Sequence, residues 1–225
     1  MRRSFQRPFT LPRHATEIVL VRHGSTVRPG AADGSALTAG QGDPALEPVG
    51  HRQAAAVGAR LARSDPPAAL FVSGLRRTAL TAAPLAAATG LTPTVVPELN
   101  EVHLGAWEGG EFERRLAARD PQILRALAEQ RWDVLPGGED MGELATRIAR
   151  GLADVVDLTG PDAVAVAFVH GGVIAEACRQ ATGSEPFAFL YAENGSITRL
   201  VHLPGGRWRL RGFNDVSHLD EEVLP

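Results

Sequence analysis

The sequence predicts an α/β fold: a mostly parallel central sheet with helices on both faces. Three observations carry this expectation. The apolar runs are short and rich in valine, segments with alanine and leucine at helical spacing separate them, and the two kinds alternate along the chain. At 225 residues the chain is long enough for one sizeable core, so a single domain over residues 1–225 is expected.

Taken in order, the chain opens with "MRRSFQRPFTLPRH". Arg2-Arg3-Ser4-Phe5 superficially resembles a twin-arginine export signal, but Pro8, Pro12, Arg13 and His14 stand where its apolar stretch would be. Residues 1–16 are therefore read as a loose lead-in. Ile18 to Val21 reads as a strand that stops on Arg22 and His23, with Gly24 allowing a sharp turn behind them. A polar, glycine-rich loop is expected over residues 28–43. A helix follows from about Glu47 to Arg63, with Val49, Ala56, Val57 and Leu61 along one side.

"AALFVSG" at 68–74 is a second strand, "LRRTALTAAPLAAATG" a helix stopped by Gly90, and "TPTVV" a short third strand. An irregular stretch, "PELNEVHLGAWEGGE", leads into a helical region from about 111 to 157 that "DVLPGGED" interrupts. "DAVAVAFVHGG" is the clearest strand, and a helix at 172–182 follows it. "SITRLVHL", a "PGG" turn and "RWRLRGFN" close the chain as a hairpin.

Composition narrows the function classes. Hydrophobic residues make up 44% and charged residues 22%, too apolar for a disordered chain. The net charge of -3 is small and both signs are mixed, so no nucleic-acid or membrane partner is expected. No window approaches the ~18 apolar residues of a membrane span, and a cytoplasmic location is the default expectation. Every basic side chain is arginine, whose planar fork of donors suits phosphate or carboxylate. The single Cys178 cannot form an internal disulfide. The seven histidines are scattered without metal-ligand spacing, so neither a metal nor a cofactor is expected.

In open α/β sheets ligands bind beyond the carboxyl ends of the strands. Arg22-His23, Ser73 and His170-Gly171 all sit at such ends. Phosphoryl transfer through an enzyme intermediate needs a nucleophile, cations for the equatorial oxygens and a proton donor for the leaving oxygen. A neutral His23 with one ring nitrogen free, and the other fixed as a donor to a backbone carbonyl, would be a competent nucleophile.

Four motifs occur in a fixed order: R-H-G-x-T after a strand, S-x-L-x-R-T-x-x-T-A at a strand-helix junction, L-x-E-x-x-x-G-x-W-E-G, and a strand-terminal H-G. From residue 17 to about 203 the chain thereby resembles the histidine phosphatase superfamily, the phosphoglycerate mutase-like enzymes. The resemblance implies that fold, His23 as nucleophile, and Arg22, Arg77, His170 and Gly171 as the phosphate-binding set, with His170 also stabilising transition-state charge. It selects Arg77 over the adjacent Arg76, since neighbours on a helix cannot both point at one site. Glu101 is implied as general acid and then general base, because His170 is followed by glycine and not by the aspartate of the branch that uses that residue.

The resemblance also departs at one place. Where family members carry a phosphate-binding asparagine, this chain has Pro29, which lacks both the amide and the backbone N–H. The expected function is a metal-independent phosphatase of a small phosphomonoester, working through a phosphohistidine. The alternatives are a phosphoglycerate mutase-type isomerase and a non-catalytic phosphate-binding module. Mutases of this family read E-R-H-Y-G where this chain reads Glu101-Val102-His103-Leu104-Gly105, and carry a lysine near Phe112. Arg114 and Arg115 would be the compensating cations, though helical spacing makes them a solvated charged face. The expected partner is a small phosphorylated substrate, with its identity and any homo-oligomer left open.

Overall fold

The computed structural model describes residues 8–28, 37–64 and 66–220. Its central sheet has six strands, in spatial order β5 (Thr94–Val95), β4 (Ala69–Val72), β6 (Ala163–Val169), β1 (Thr16–Arg22), β7 (Ile197–Leu203) and β8 (Arg207–Asp215). The first four are parallel, and β7 and β8 form the antiparallel hairpin on the other side of β1. Successive side chains of a strand face opposite sides of the sheet, so a strand buried on both faces is apolar throughout. β1 does this: Ile18 and Leu20 enter one layer, Val19 and Val21 the other.

Helices α1 (Pro48–Ser64) and α2 (Arg76–Thr89) cover the valine face, where Val57, Leu61, Ala82 and Leu85 meet Val21, Leu70 and Phe168. Helices α5 (Met141–Thr159) and α6 (Gly171–Thr182) cover the other, where Ile148, Leu152 and Ile174 meet Ile18, Leu20 and Phe71. Truncating a fully buried residue such as Phe71 to alanine in this packing costs about 3–5 kcal/mol. The rigidity matters for function, because the carboxyl ends of β1, β4 and β6 emerge along one edge. Gly24 and Gly50 pack backbone against backbone behind the tip of β1, where neither position has room for a Cβ.

Three expectations change. The loop at 28–43 contains a small ribbon, β2 (Leu37–Thr38) against β3 (Gln41–Gly42), while Pro29 and the rest of 29–36 lie outside the described residues. The helical region after residue 111 breaks once more, into α3 (Glu111–Ala117) and α4 (Pro121–Glu129). The cause is Arg119 in the left-handed region, then Asp120 capping Gln122 N–H at 2.8 Å with Pro121 in the first helical turn. The lead-in expected to be loose is in part tied down. Ala15 is fully buried beside Leu203, His14 N–H donates to Asp162, and the Arg211 guanidinium sits 4.0 Å from the Phe9 ring centre.

Candidate functional site

The tip of β1 carries Arg22 and His23. His23 is buried, and its Nδ1 donates to the Gly24 carbonyl at 2.8 Å, which leaves Nε2 as the ring's lone-pair nitrogen. Burial first, then the Arg77 and Arg22 guanidiniums, hold its pKa well below the ordinary histidine range. His23 is therefore neutral at neutral pH. The neighbouring backbone is held in place by Asn194, whose amide donates to the His23 carbonyl, and by Thr81, which accepts from Gly24 N–H.

His170 follows β6 and is fully buried, its ring 5.2 Å from that of His23. Its Nε2 bonds Ser73 Oγ at the tip of β4, 2.8 Å away. Ser73 in turn accepts from Leu75 N–H and bonds Thr78 Oγ1. His170 too is held neutral, by burial and then by Arg77, His23 and Arg22. Its Nδ1 and the Nε of Arg22 are buried without a hydrogen-bond partner. Buried polar atoms are nearly always satisfied; with Nε2 accepting from the Ser73 hydroxyl, Nδ1 carries the ring proton, and it and the Arg22 Nε–H are then both donors that an anion can use.

Arg22 is anchored by one arm, Nη1 donating to the Ala192 carbonyl at 2.5 Å. Arg77, in the first turn of α2, is buried and donates from Nη1 to the Gly42 carbonyl at 2.7 Å. Asp43 aims it: Oδ1 lies 3.7 Å from that nitrogen, while Oδ2 accepts from Thr38 and from Arg76 N–H. Burial pulls the pKa of both guanidiniums down, opposed by Glu101 nearby. Arg76 is exposed and donates from Nε to the Asp43 carbonyl. Of the two neighbours, Arg77 is thus the buried one and the one that lines the cavity.

Glu101 lies on the irregular segment before α3. Its Oε1 accepts from Val102 N–H at 2.9 Å and from Gly172 N–H at 3.1 Å, at the start of α6. A Cβ at Gly172 would lie 2.7 Å from that oxygen, so only glycine allows this approach. The segment itself is held by Arg147 of α5, which donates to the carbonyls of Glu98, Asn100 and Glu101 at 2.7, 2.7 and 3.0 Å. Arg147 is also paired with Glu139. Gln41 of β3 reaches the Glu101 carbonyl from the other side at 2.7 Å.

Arg22, His23, Arg77, Glu101 and Gly171 line one cavity of about 370 Å³; His170 is not among its lining residues, although its ring lies 5.2 Å from that of His23, which is. Sequence reasoning did not find Asp43, Arg147 or Gln41, and gave Ser73 only a place at a strand end. Glu108 is structural: its two oxygens accept from Leu104 N–H and Gly42 N–H, tying the β2–β3 ribbon to the Glu101 segment. Arg114 and Arg115 pair with Glu111 and do not line the cavity. Among the described residues no group of three or more His, Cys, Asp and Glu is placed to hold a metal ion, and no helix is long and apolar enough to cross a membrane.

The chain is similar to known proteins over most of its length. The family model for the histidine phosphatase superfamily, branch 1, matches residues 18–216. A metal-independent phosphoserine phosphatase of Arabidopsis thaliana is 34% identical, over 91% of this chain and 83% of its own length. A probable phosphoglycerate mutase of Yersinia enterocolitica is 30% identical over 92% of this chain and 97% of its own. The native structure of a mycobacterial glucosyl-3-phosphoglycerate phosphatase superposes with a TM-score of 0.70 and 31% identity, covering 89% of this chain and 99% of that one. Matched by that family over most of its length, and sharing the fold of these relatives, the chain belongs to the histidine phosphatase superfamily.

Proposed function

We propose that the protein hydrolyses a phosphomonoester through a phosphohistidine on His23. The observation that carries this reading is the state of His23: buried, neutral, its Nδ1 bonded to the Gly24 carbonyl, and its Nε2 free among Arg22, Arg77 and His170. In the first step the Nε2 lone pair attacks phosphorus and the bond from phosphorus to the ester oxygen breaks. The departing oxygen takes a proton from Glu101. Arg22, Arg77 and His170 Nδ1 bind the phosphoryl oxygens as charge spreads over them. In the second step Glu101 takes a proton from water, water attacks phosphorus, and the nitrogen-phosphorus bond breaks to release inorganic phosphate. His23 Nδ1–H keeps its bond to Gly24 throughout.

A mutase must also hold a carboxylate and, in its intermediate, a second phosphate, which demands cations beyond the transfer site. The positions that would supply them here are Val102, buried against α6, and Leu104, which lines the cavity. A silent binding module has no need of Glu101 beside a free imidazole nitrogen. The test is a direct competition of outcomes. Purified protein is expected to release inorganic phosphate from phosphomonoesters, with and without a chelator, and to interconvert 3- and 2-phosphoglycerate negligibly even when primed with 2,3-bisphosphoglycerate. Interconversion well above phosphate release would make it a mutase.

A further inference from the structure

The cavity has two chemically different ends. Beyond Arg22 and Arg77 no cation lines it among the described residues; the other charged groups on its wall are Glu101, Glu108 and Glu113. The rest is apolar and aromatic, chiefly Leu104, Trp107, Phe112, Leu127, Trp132 and Leu190. Phe112 packs edge-on against Trp132, with ring centres 6.1 Å apart. Of the polar side chains on this wall, Thr26, Glu113 and Tyr191 have no side-chain partner among the described residues, whereas Gln41 and Glu108 are already engaged. Gln41 bonds the Glu101 carbonyl and Asn100, and Glu108 bonds two backbone N–H groups. Arg114 and Arg115 do not line the cavity and are paired with Glu111 and Asp120, with the Arg115 guanidinium also 4.7 Å from the ring centre of Trp107.

The apolar surface continues outward. Leu116 and Tyr191 line the cavity although 45% and 74% exposed. A second depression, lined by Gln130, Phe187 and Ala188, shares the walls Leu127, Leu190 and Tyr191. Away from Arg22, Arg77 and Glu101, an anionic leaving group entering this space would meet the carboxylates of Glu108 and Glu113 and, among the described residues, no cation on the wall, while a polyhydroxylated one would find few side-chain partners beyond the Thr26 and Tyr191 hydroxyls. Exposed apolar surface continuous with a polar site marks a binding surface.

We propose that the site selects phosphomonoesters of bulky, uncharged, apolar alcohols and discriminates against leaving groups carrying a carboxylate or a second phosphate. This selectivity rests on the phosphatase reading above and adds the substrate class to it. The two relatives named for phosphoserine and for glucosyl-3-phosphoglycerate act on charged substrates, so the proposal sets this chain apart from them.

The test measures binding without turnover, by calorimetry on the whole chain with alkylphosphonates from propyl to hexyl and with 3-carboxypropylphosphonate. Affinity is expected to rise by up to about fourfold per buried methylene, and the carboxylated ligand to bind more weakly than propylphosphonate. Leu116→Arg, a change at an exposed position, should weaken hexylphosphonate and tighten the carboxylated ligand. Equal affinity along the alkyl series, a carboxylated ligand bound as tightly as hexylphosphonate, or a variant that moves neither ligand would overturn the proposal. Phosphate release from hexyl, propyl and 4-phosphobutyrate esters, whose leaving groups have similar reactivity, separates the two readings. Release without discrimination contradicts the apolar preference alone, and tight hexylphosphonate binding with no release from hexyl phosphate contradicts the hydrolase.

Discussion

At the strand tips, His23, Arg22 and His170 are held by the Gly24 carbonyl, the Ala192 carbonyl and the Ser73 hydroxyl, in segments that join the sheet, whereas the opposite wall is built from the segment after Glu101, from α3 and α4, and from Trp132, Leu190 and Tyr191. α3 has no fully buried residue, and its charges satisfy one another through Glu111, Arg114, Arg115 and Asp120. The first region resists change because its geometry is part of the core. The second is anchored by Trp107 and Trp132 in the core, but its outer side chains, Leu116 and Tyr191, are exposed and can change with little effect on the fold. On the proposed reading, chemistry belongs to the sheet edge and selectivity to the outer wall, a division that lets one scaffold serve different substrates.

The comparison breaks most directly at His23. His23→Ala should lower kcat by roughly 10⁴-fold or more with the circular dichroism of the fold retained, since the residue sits at a strand tip. Retained turnover in a folded variant would remove the phosphate end from the chemistry. Glu101→Gln should cost ~10²–10⁴-fold with alkyl phosphates and less with activated aryl phosphates, whose leaving oxygen barely needs a proton. Equal losses with both substrate types, phosphorylation being rate-limiting for each, would take the acid role from Glu101.

Arg147 tests whether the core reaches into the site through backbone. Arg147→Gln removes donors from the carbonyls of Glu98, Asn100 and Glu101. It should lower kcat by up to ~10²-fold and stability by about 1–3 kcal/mol, whereas KM for short alkyl phosphates changes little. A stability loss without any change in kcat would make it structural only.

The smallest effect is the dependence of stability on pH. His23 and His170 have pKa values pushed well below the ordinary 6.5, so below that pH the unfolded chain binds protons that the native state refuses. Stability is full above 6.5 and falls as the pH drops toward the native values. At one unit below 6.5 each histidine should cost on the order of 1 kcal/mol, read by urea denaturation. The double variant His23→Ala, His170→Ala should show a shallower decline. An equal decline would mean that neither imidazole is held neutral.

Those two regions also differ in how far the sequence reveals them. The strand tips were legible because the chemistry stands next to its own structural signal: an apolar run, then Arg22, His23 and a glycine. The sheet, its flanking helices and the family followed from the same alternation. Asp43 and Arg147 were not legible, because each acts on a segment distant in the chain, Arg147 through carbonyls that any residue carries. The apolar wall was hidden for another reason: Phe112, Leu116 and Leu127 have the spacing of helices that face a core, and only the fold shows that their side chains line a cavity. The break at Asp120-Pro121 has a local sign, a capping aspartate before a proline, which the longer helical pattern around it masks.

The central claim is that the phosphoryl group rests on His23. The protein is mixed with labelled alkyl phosphate, quenched in alkali because the nitrogen-phosphorus bond is acid-labile, digested, and the labelled peptide identified by mass spectrometry. Label on His23 that survives alkali, vanishes in acid and is absent from the His23→Ala protein is the expected result; acid-stable label, or label on another residue, would contradict it.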